Sequence, residues 1–262
     1  MRESVRRLKL GCARRAQLKY GKLLGEGKVA QVFEYGEGRV LKLYRAGQPV
    51  SDARRELSIL DVIEGSGIAA PRAFDLEQVE GRWGLVMSRV DGRPFAEPML
   101  ADPARAAPYF AAMAELQLKI HAAAGAGLAP LKVRLARKIE ASGLGDSVRR
   151  RLRERLRALP EGDRVLHGDF HPFNVLGTLE GATVVDWLDA TCGPPAADLC
   201  RSWLLLQTVS ADLAESYVSA YFALSPIPRD SVFAWLPVRA AARLAENVPD
   251  EVYALMAMAE AG

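Results

Sequence analysis

The hydrophobic pattern of the first third of the chain predicts β-strands. The segments LKYGKLLGEG and KVAQVFEYGEG predict a hairpin with Gly25 and Gly27 at its turn, and RVLKLY at 39–44 supplies a third strand. Two further strands are predicted near 72–79 and 83–90, and the second is almost entirely apolar, as expected of an interior strand. The pattern therefore indicates one small sheet at the start of the chain.

Helical spacing dominates from residue 102 onward, after one earlier helix that begins near Ser51 and ends at Gly65 or Gly67. A strand, TVVDW at 183–187, interrupts the helical part. The later helices are predicted at about 131–142, 146–159, 196–208, 211–224, 229–247 and 250–260. We predict an α+β protein with a small β-rich N-lobe over residues 1–90 and a larger, mostly helical C-lobe over residues 91–262.

Composition changes this picture little. Half of the 262 residues are hydrophobic, and a formal net charge of +3 is too small to indicate nucleic-acid binding. Basic residues cluster at 1–19 and 148–157, and we interpret the second cluster as a solvated helix face. The scattered Cys12, Cys192 and Cys200 argue against a disulfide framework or a zinc site. Because no apolar run suits a signal peptide or a membrane span, we expect a cytoplasmic protein that does not enter membranes.

A polar loop is the first candidate for chemistry. The segment VLHGDFHPFNVL at 165–176 places polar side chains between two apolar pairs that we interpret as buried strand ends. A rigid loop that presents the Asp169 carboxylate and the Asn174 amide is a candidate reaction site. A turn in which both side chains bond only to backbone is the alternative, and this segment alone leaves both open.

A second polar segment, VVDWLDA at 184–190, adds a carboxylate at the end of an apolar strand. Two strands joined by a short turn would bring Asn174 close to Asp186. An amide carbonyl and a carboxylate, together with waters and phosphate oxygens, can complete the octahedral shell of Mg²⁺. Asp169 would then lie beside the metal, free to accept a proton from an attacking hydroxyl. The alternative is that Asp186 and Asp189 cap the next helix.

The predicted sheet carries a lysine in an apolar setting. Lys42 lies within VLKLY, and a buried ammonium group needs a partner, for which Glu56 on the next helix is suited. Such a pair holds a lysine on the α- and β-phosphates in kinases. Gly25 and Gly27 would let backbone lie over phosphates, although hairpin turns also use glycine, and the usual third glycine position is Ala30. An exposed lysine on a surface strand is the alternative.

These motifs together resemble the aminoglycoside phosphotransferase/choline kinase-like family. The resemblance rests on HGDFHPFN followed by VVDWLDA, with Lys42 and Glu56 upstream, and it covers nearly the whole chain. It implies a bilobal protein-kinase-like fold. By position it implies Asp169 as the catalytic base, Asn174 and Asp186 as Mg²⁺ ligands, Lys42 as the phosphate-binding group and Glu56 as the residue that orients this lysine.

The resemblance also assigns LVMSRVDG to the hinge between the lobes. There the Ser88 carbonyl and the Val90 amide would meet the adenine edge, and Met87 would line the nucleotide pocket. In GPPAADL, the implied role of Asp198 is to brace the backbone near His167 or Gly168.

Two histidines of the loop have different expected roles. We interpret His167 as a packed scaffold residue rather than a catalyst. His171 occupies a position where serine/threonine protein kinases carry a lysine. This departure favours phosphorylation of small molecules over phosphorylation of proteins.

The implied function is Mg²⁺-dependent transfer of the γ-phosphate of ATP, or GTP, to a hydroxyl of a small molecule, either an aminoglycoside-type antibiotic or a metabolite. An atypical protein serine/threonine kinase and a nucleotide-binding pseudokinase are the alternatives. A polycationic aminoglycoside would need several carboxylates from the helical lobe, and the candidates suit solvated helix faces equally well. These candidates are Asp189, Asp212, Glu215, Glu246, Asp250 and Glu251. The sequence does not reveal the oligomeric state.

Overall fold

The computed structural model describes residues 20–261, so the basic segment 1–19 and Cys12 lie outside the described residues. The first part of the described chain is a five-stranded antiparallel sheet with the strand order β1-β2-β3-β5-β4, and one helix packs on it. These elements are β1 (Leu23–Glu26), β2 (Ala30–Glu34), β3 (Arg39–Tyr44), α1 (Val50–Ser66), β4 (Ala73–Val79) and β5 (Arg82–Ser88).

Alternation along β3 explains how the sheet is covered on both faces. Leu41 and Leu43 point to one face, where they join a small buried cluster. Val40 and Tyr44 point to the other face, which belongs to the main hydrophobic core. Lys42 lies between these two residues on the same face, because side chains two positions apart share a face of a strand. The ammonium group is therefore carried toward the interior of the protein.

The rest of the chain is mostly helical and contains two small sheets, with the strand orders β6-β8-β9 and β10-β7. Its strands are β6 (Arg93–Pro94), β7 (Arg164–Leu166), β8 (Val175–Thr178), β9 (Gly181–Val184) and β10 (Thr191–Gly193). Its helices are α2 (Ala96–Ala101), α3 (Ala106–Ala122), α4 (Leu131–Glu140), α5 (Asp146–Ala158), α6 (Pro195–Gln207), α7 (Ala211–Phe222), α8 (Arg229–Phe233), α9 (Leu236–Leu244) and α10 (Val252–Glu260).

Two predicted elements differ from the observed ones. The single helix expected over 229–247 is two helices, since Pro237 lies in the first turn of α9 and cannot donate a hydrogen bond back into a preceding helical turn. The strand expected over 183–187 ends at Val184, because Asp186 adopts a left-handed backbone with φ of 63°. The short elements α2, β6 and β10 were not predicted.

The basic stretch 148–157 lies on α5, whose buried residues are Leu152 and Leu156. Its six arginines are exposed or half-buried and none is fully buried, as expected of an amphipathic helix at the protein surface. No helix within residues 20–261 has the length and apolar character needed to cross a membrane. The division of the chain after residue 90 stays a prediction, although the five-stranded sheet ends just before it, at Ser88.

Candidate active site

The loop between β7 and β8 is held in place by close backbone packing. Gly168 has a φ of +84°, and a Cβ atom on it would lie 2.3 Å from the carbonyl oxygen of Asp189. His167 is fully buried; its Nδ1 accepts from the Asp169 amide at 3.3 Å, and its Nε2 lies 3.1 Å from the Val185 carbonyl oxygen. Burial lowers the pKa of His167, which favours the neutral ring of a scaffold residue.

A buried carboxylate fixes the same backbone from α6. Asp198 accepts hydrogen bonds from the amides of Gly168 at 2.8 Å and His167 at 3.1 Å. Gln117 and His121 of α3 also contact this carboxylate, each at 3.2 Å. Burial alone would raise the pKa of Asp198, but the hydrogen bond from His121 and the electrostatic attraction of His121, Arg239 and His167 together outweigh it and hold the pKa below its ordinary value. Asp198 therefore carries a stable negative charge that orients the loop.

Asp169 extends from this fixed loop and is partly exposed. Its Oδ1 accepts from Arg201 Nη2 at 3.1 Å, and its Oδ2 lies 3.4 Å from His171 Nε2. Burial would raise the pKa of Asp169, but the hydrogen bond from His171 and the charge of Arg201 lower it overall. The carboxylate is thus ionised at neutral pH and can orient a hydroxyl group and accept its proton.

Asn174 and Asp186 lie at neighbouring ends of the β8–β9 hairpin. The Val185 amide donates to the Asn174 carbonyl at 2.9 Å, so the residues before β8 and after β9 are adjacent. The Asn174 Nδ2 group donates to the Asp169 carbonyl at 2.9 Å. The Oδ1 atom of Asn174 accepts no hydrogen bond within residues 20–261. The Asp186 side chain is 44% exposed. An amide oxygen and an accessible carboxylate fit the oxygen ligands that Mg²⁺ prefers.

A larger protein-derived metal cluster is not found in the described part of the chain. Residues 20–261 contain no group of three or more His, Cys, Asp or Glu side chains that could hold one ion. A Mg²⁺ ion at Asn174 and Asp186 would therefore take its remaining ligands from water and phosphate, which is typical of this ion at nucleotide sites.

Lys42 connects the two parts of the molecule. Its Nζ lies 2.7 Å from Glu56 Oε1 and 2.8 Å from Asp186 Oδ1, and the residue is buried. Burial alone would lower the pKa of Lys42, but Glu56 and Asp186 together raise it above its ordinary value. Tyr44 also hydrogen-bonds Glu56, through its other carboxylate oxygen. The exposed-lysine alternative is therefore wrong, and a charged ammonium group faces the polar end of the β8–β9 hairpin.

Gly25 and Gly27 lie in β1 and in the turn that follows it. Neither has a positive φ, and a Cβ atom would meet nothing within 4 Å at Gly25 and only the Ala30 carbonyl, at 3.6 Å, at Gly27. Packing of the protein itself therefore does not require glycine at either position. In the same turn, Lys28 Nζ donates to the carbonyl oxygen of Asn247 at 3.1 Å, so the turn reaches the helical part of the chain.

The predicted hinge residues lie at the end of strand β5 and just after it. Met87 is buried at its end, and the Ser88 amide and hydroxyl pair with the backbone of Arg72. Val90 is half-buried, and its amide finds no acceptor within the part of the chain that the structure describes. This amide is thus available to a ligand, as the predicted contact with an adenine edge requires.

The sequence did not identify several residues that support the site. Arg201 of α6 joins Asp169 to Glu246, and its Nη2 lies 2.9 Å from the Glu246 carboxylate. His121 of α3 is buried and hydrogen-bonds Tyr221 at 2.8 Å as well as Asp198. The arginine directly follows the DLC segment that contains Asp198, which is the one sequence signal that could have drawn attention to it.

Replacing Gly168 by alanine is expected to destabilise the fold by about 3 kcal/mol, because the new Cβ meets backbone in a conformation that already disfavours side chains. Gly143→Ala is the matched control, since Gly143 has a φ of +76° with open space around it. That variant is expected to lose only about 1 kcal/mol. Urea unfolding of both proteins measures the difference, and equal losses would show that the contact with Asp189 carries no cost.

Comparisons with known proteins agree with this architecture. Residues 22–240 match the sequence profile of the phosphotransferase enzyme family, APH. No significant match is found among curated proteins.

Solved structures with the same fold have low sequence identity to the chain. The choline kinase LicA from Streptococcus pneumoniae aligns with a TM-score of 0.64 at 15% identity, over 93% of this chain and 92% of that one. An aminoglycoside-3'-phosphotransferase of type VIII aligns with a TM-score of 0.60 at 20% identity, over 86% and 90%. The GDP and kanamycin complex of APH(2'')-IIIa aligns with a TM-score of 0.60 at 17% identity, over 93% and 91%. The predicted bilobal protein-kinase-like fold is confirmed, and the chain belongs to the phosphotransferase enzyme family.

Proposed function

We propose that the protein transfers the γ-phosphate of ATP or GTP to a hydroxyl group of a small molecule, with Mg²⁺ bound at Asn174 and Asp186. The observation that carries the proposal is the position of Lys42, whose ammonium group bridges Glu56 and Asp186. A cation buried between the sheet and the β8–β9 hairpin is suited to the phosphates of a nucleotide. Related structures contain GDP, ADP or ATP, which supports nucleotide binding.

Each residue of the site would have a defined part in the reaction. The acceptor oxygen attacks the γ-phosphorus while the bond to the β–γ bridging oxygen breaks, and the nucleoside diphosphate leaves. Asp169 orients the acceptor hydroxyl and takes its proton, which then passes to solvent. Lys42 holds the nucleotide phosphates, and Glu56 and Tyr44 keep the lysine in position. When bound, Mg²⁺ neutralises the charge that the phosphates carry.

A labelling experiment tests this proposal. The full chain is incubated with γ-phosphate-labelled ATP or GTP, Mg²⁺ and a panel of small hydroxyl compounds, in parallel with a peptide and protein pool. We expect label on a small compound and none on the pool, and we expect excess EDTA to abolish transfer because the phosphates lose their counter-charge. Labelling of the pool alone would indicate a protein kinase. Nucleotide binding with neither transfer nor hydrolysis would indicate a pseudokinase.

A further inference from the structure

A pocket rich in positive charge lies next to the Asp169 loop. Its charged lining comes from α4, α6 and α9 and from the segments that follow β9 and α9. Gly168 forms part of its wall, so the pocket borders the loop that carries Asp169. The charged residues that line it are Arg134, Lys138, Arg201, Arg239, Asp189 and Glu246. We call this site the basic pocket.

The carboxylates of the basic pocket are already neutralised by its cations. Asp189 pairs with Arg134, and Glu246 contacts Lys138 at 2.6 Å and Arg201 at 2.9 Å. Four cations line the pocket, and three carboxylates contact them, because Arg201 also pairs with Asp169 at 3.1 Å. Arg239 is the lining cation that forms no ion pair within residues 20–261, which is unfavourable in a largely buried space unless an anion joins it.

Two further observations indicate that the pocket is suited to an anion. Arg239 is 5% exposed, and its Nη2 has no hydrogen-bond partner within residues 20–261. Burial and the nearby charges of Arg201 and Arg134 together lower the pKa of Lys138 to about 8, against the attraction of Glu246. A buried guanidinium with an unused donor, beside an ammonium group repelled by its neighbours, is suited to bind an oxyanion.

We propose that the basic pocket binds an oxyanion of the acceptor, a carboxylate or phosphate group that the acceptor carries in addition to its reactive hydroxyl. The free space between the side chains is about 10 Å³, room for one water-sized group. Because an oxyanion is larger than this space, it would displace part of the Glu246 carboxylate and contact Lys138 and Arg201 in its place. Because Arg201 also contacts Asp169 at 3.1 Å, an acceptor anchored here places its hydroxyl near the base.

This inference rests on the proposed function and narrows it to acidic hydroxyl compounds. A polycationic aminoglycoside is disfavoured, because four of the six carboxylates that could serve it are paired with cations. Glu251 contacts Arg243 at 2.6 Å, and Glu215 contacts Arg229 at 2.7 Å, in addition to the pairs of the basic pocket. The chain thus differs in its expected substrate from the kanamycin-bound relative described above.

Binding of matched acid and neutral probes tests the inference without any need for transfer. Titration calorimetry of the full chain compares glycerate and glycerol phosphate with glycerol, and gluconate with sorbitol. We expect the acids to bind at least about tenfold more tightly than their neutral partners, because charged hydrogen bonds to the pocket are lost with the neutral compounds. Comparison of glycerate and gluconate with glycerol phosphate shows whether the pocket prefers a carboxylate or a phosphate group. Equal affinity within every pair would overturn the inference.

Two arginine variants of α4 provide a test of the basic pocket and its matched control. Arg134→Gln is expected to remove the preference for acids, whereas Arg137→Gln makes the same change at an exposed position of the same helix and should preserve it. If Arg134→Gln fails to fold, Lys138→Gln replaces it. Glu246→Gln should tighten acid binding because it removes the competing carboxylate. Identical behaviour of the variants at 134 and 137, or no gain at 246, would contradict the proposal.

The two proposals can fail separately. If acids bind in a way that depends on Arg134 but the protein transfers no phosphate from ATP in the presence of Mg²⁺, the anion-binding role of the basic pocket stands and the proposed phosphotransferase activity is refuted. If the protein transfers phosphate to neutral alcohols or to kanamycin and shows no preference for acids, only the anion-binding role of the basic pocket is refuted.

Discussion

Replacing Asp169 by asparagine is expected to slow phosphoryl transfer by about 1,000-fold, because the amide can orient a hydroxyl but cannot accept its proton. The fold should persist, since Asp198 and not Asp169 holds the loop backbone. Arg201 also keeps its contact with Glu246 when the Asp169 carboxylate is lost. The measurement is the initial rate with the best acceptor from the labelling screen or, with water as the acceptor, the rate of ATP hydrolysis.

The control for this variant is Asp163→Asn, which removes the same charge from a carboxylate that is 85% exposed outside the site. Its rate should stay within about twofold of the wild type, as expected for a surface change. Nucleotide affinity and the unfolding temperature of the Asp169 variant should also stay near wild type. Full turnover by pure Asp169→Asn protein would refute the role of this residue.

Replacing Asp186 by asparagine is expected to reduce the rate by at least about 100-fold and to raise the Mg²⁺ concentration needed for half-maximal activity. The amide keeps one oxygen but loses the charge that attracts both the metal and Lys42. Asparagine is chosen because Asp186 has a φ of 63°, a backbone conformation that asparagine tolerates better than alanine does. Mg²⁺ titration of the steady-state rate measures both effects.

Glu56→Gln provides a graded comparison for this prediction. Glu56 lies 2.7 Å from Lys42 and contacts the lysine without belonging to the predicted metal ligands. Its replacement should weaken nucleotide use but leave the Mg²⁺ dependence near that of the wild type, because the lysine loses only its positioning partner. A similar shift of the Mg²⁺ midpoint in both variants would contradict the assignment of Asp186 as a metal ligand.

The sequence was most informative where local pattern determines structure. Lys42 was expected to be buried because apolar residues surround it on a predicted strand, and its short distance to Glu56 follows from the packing of α1 on the sheet. The closeness of Asn174 to Asp186 followed from a hairpin between two short apolar segments. The predicted brace at Asp198 came from the family resemblance, and the contacts with the backbone of His167 and Gly168 are present.

Residues whose roles depend on distant packing could not be predicted in this way. Arg201 and Glu246 lie 45 positions apart and meet only because α6 packs against α9. His121 reaches Asp198 from α3, 77 positions earlier. The excess of positive charge in the basic pocket likewise depends on how three helices come together. Helical periodicity shows which face of each helix is apolar, but it does not show which polar groups of separate helices meet.

A crystal structure with Mg²⁺ and a non-hydrolysable ATP analogue tests most directly whether Lys42, Asn174 and Asp186 form one nucleotide and metal site. We predict phosphate oxygens within hydrogen-bonding distance of Lys42 Nζ, a metal ion that contacts both Asn174 and Asp186, and the γ-phosphate facing Asp169. A nucleotide bound elsewhere, or a metal ion that contacts neither residue, would contradict the proposed reaction.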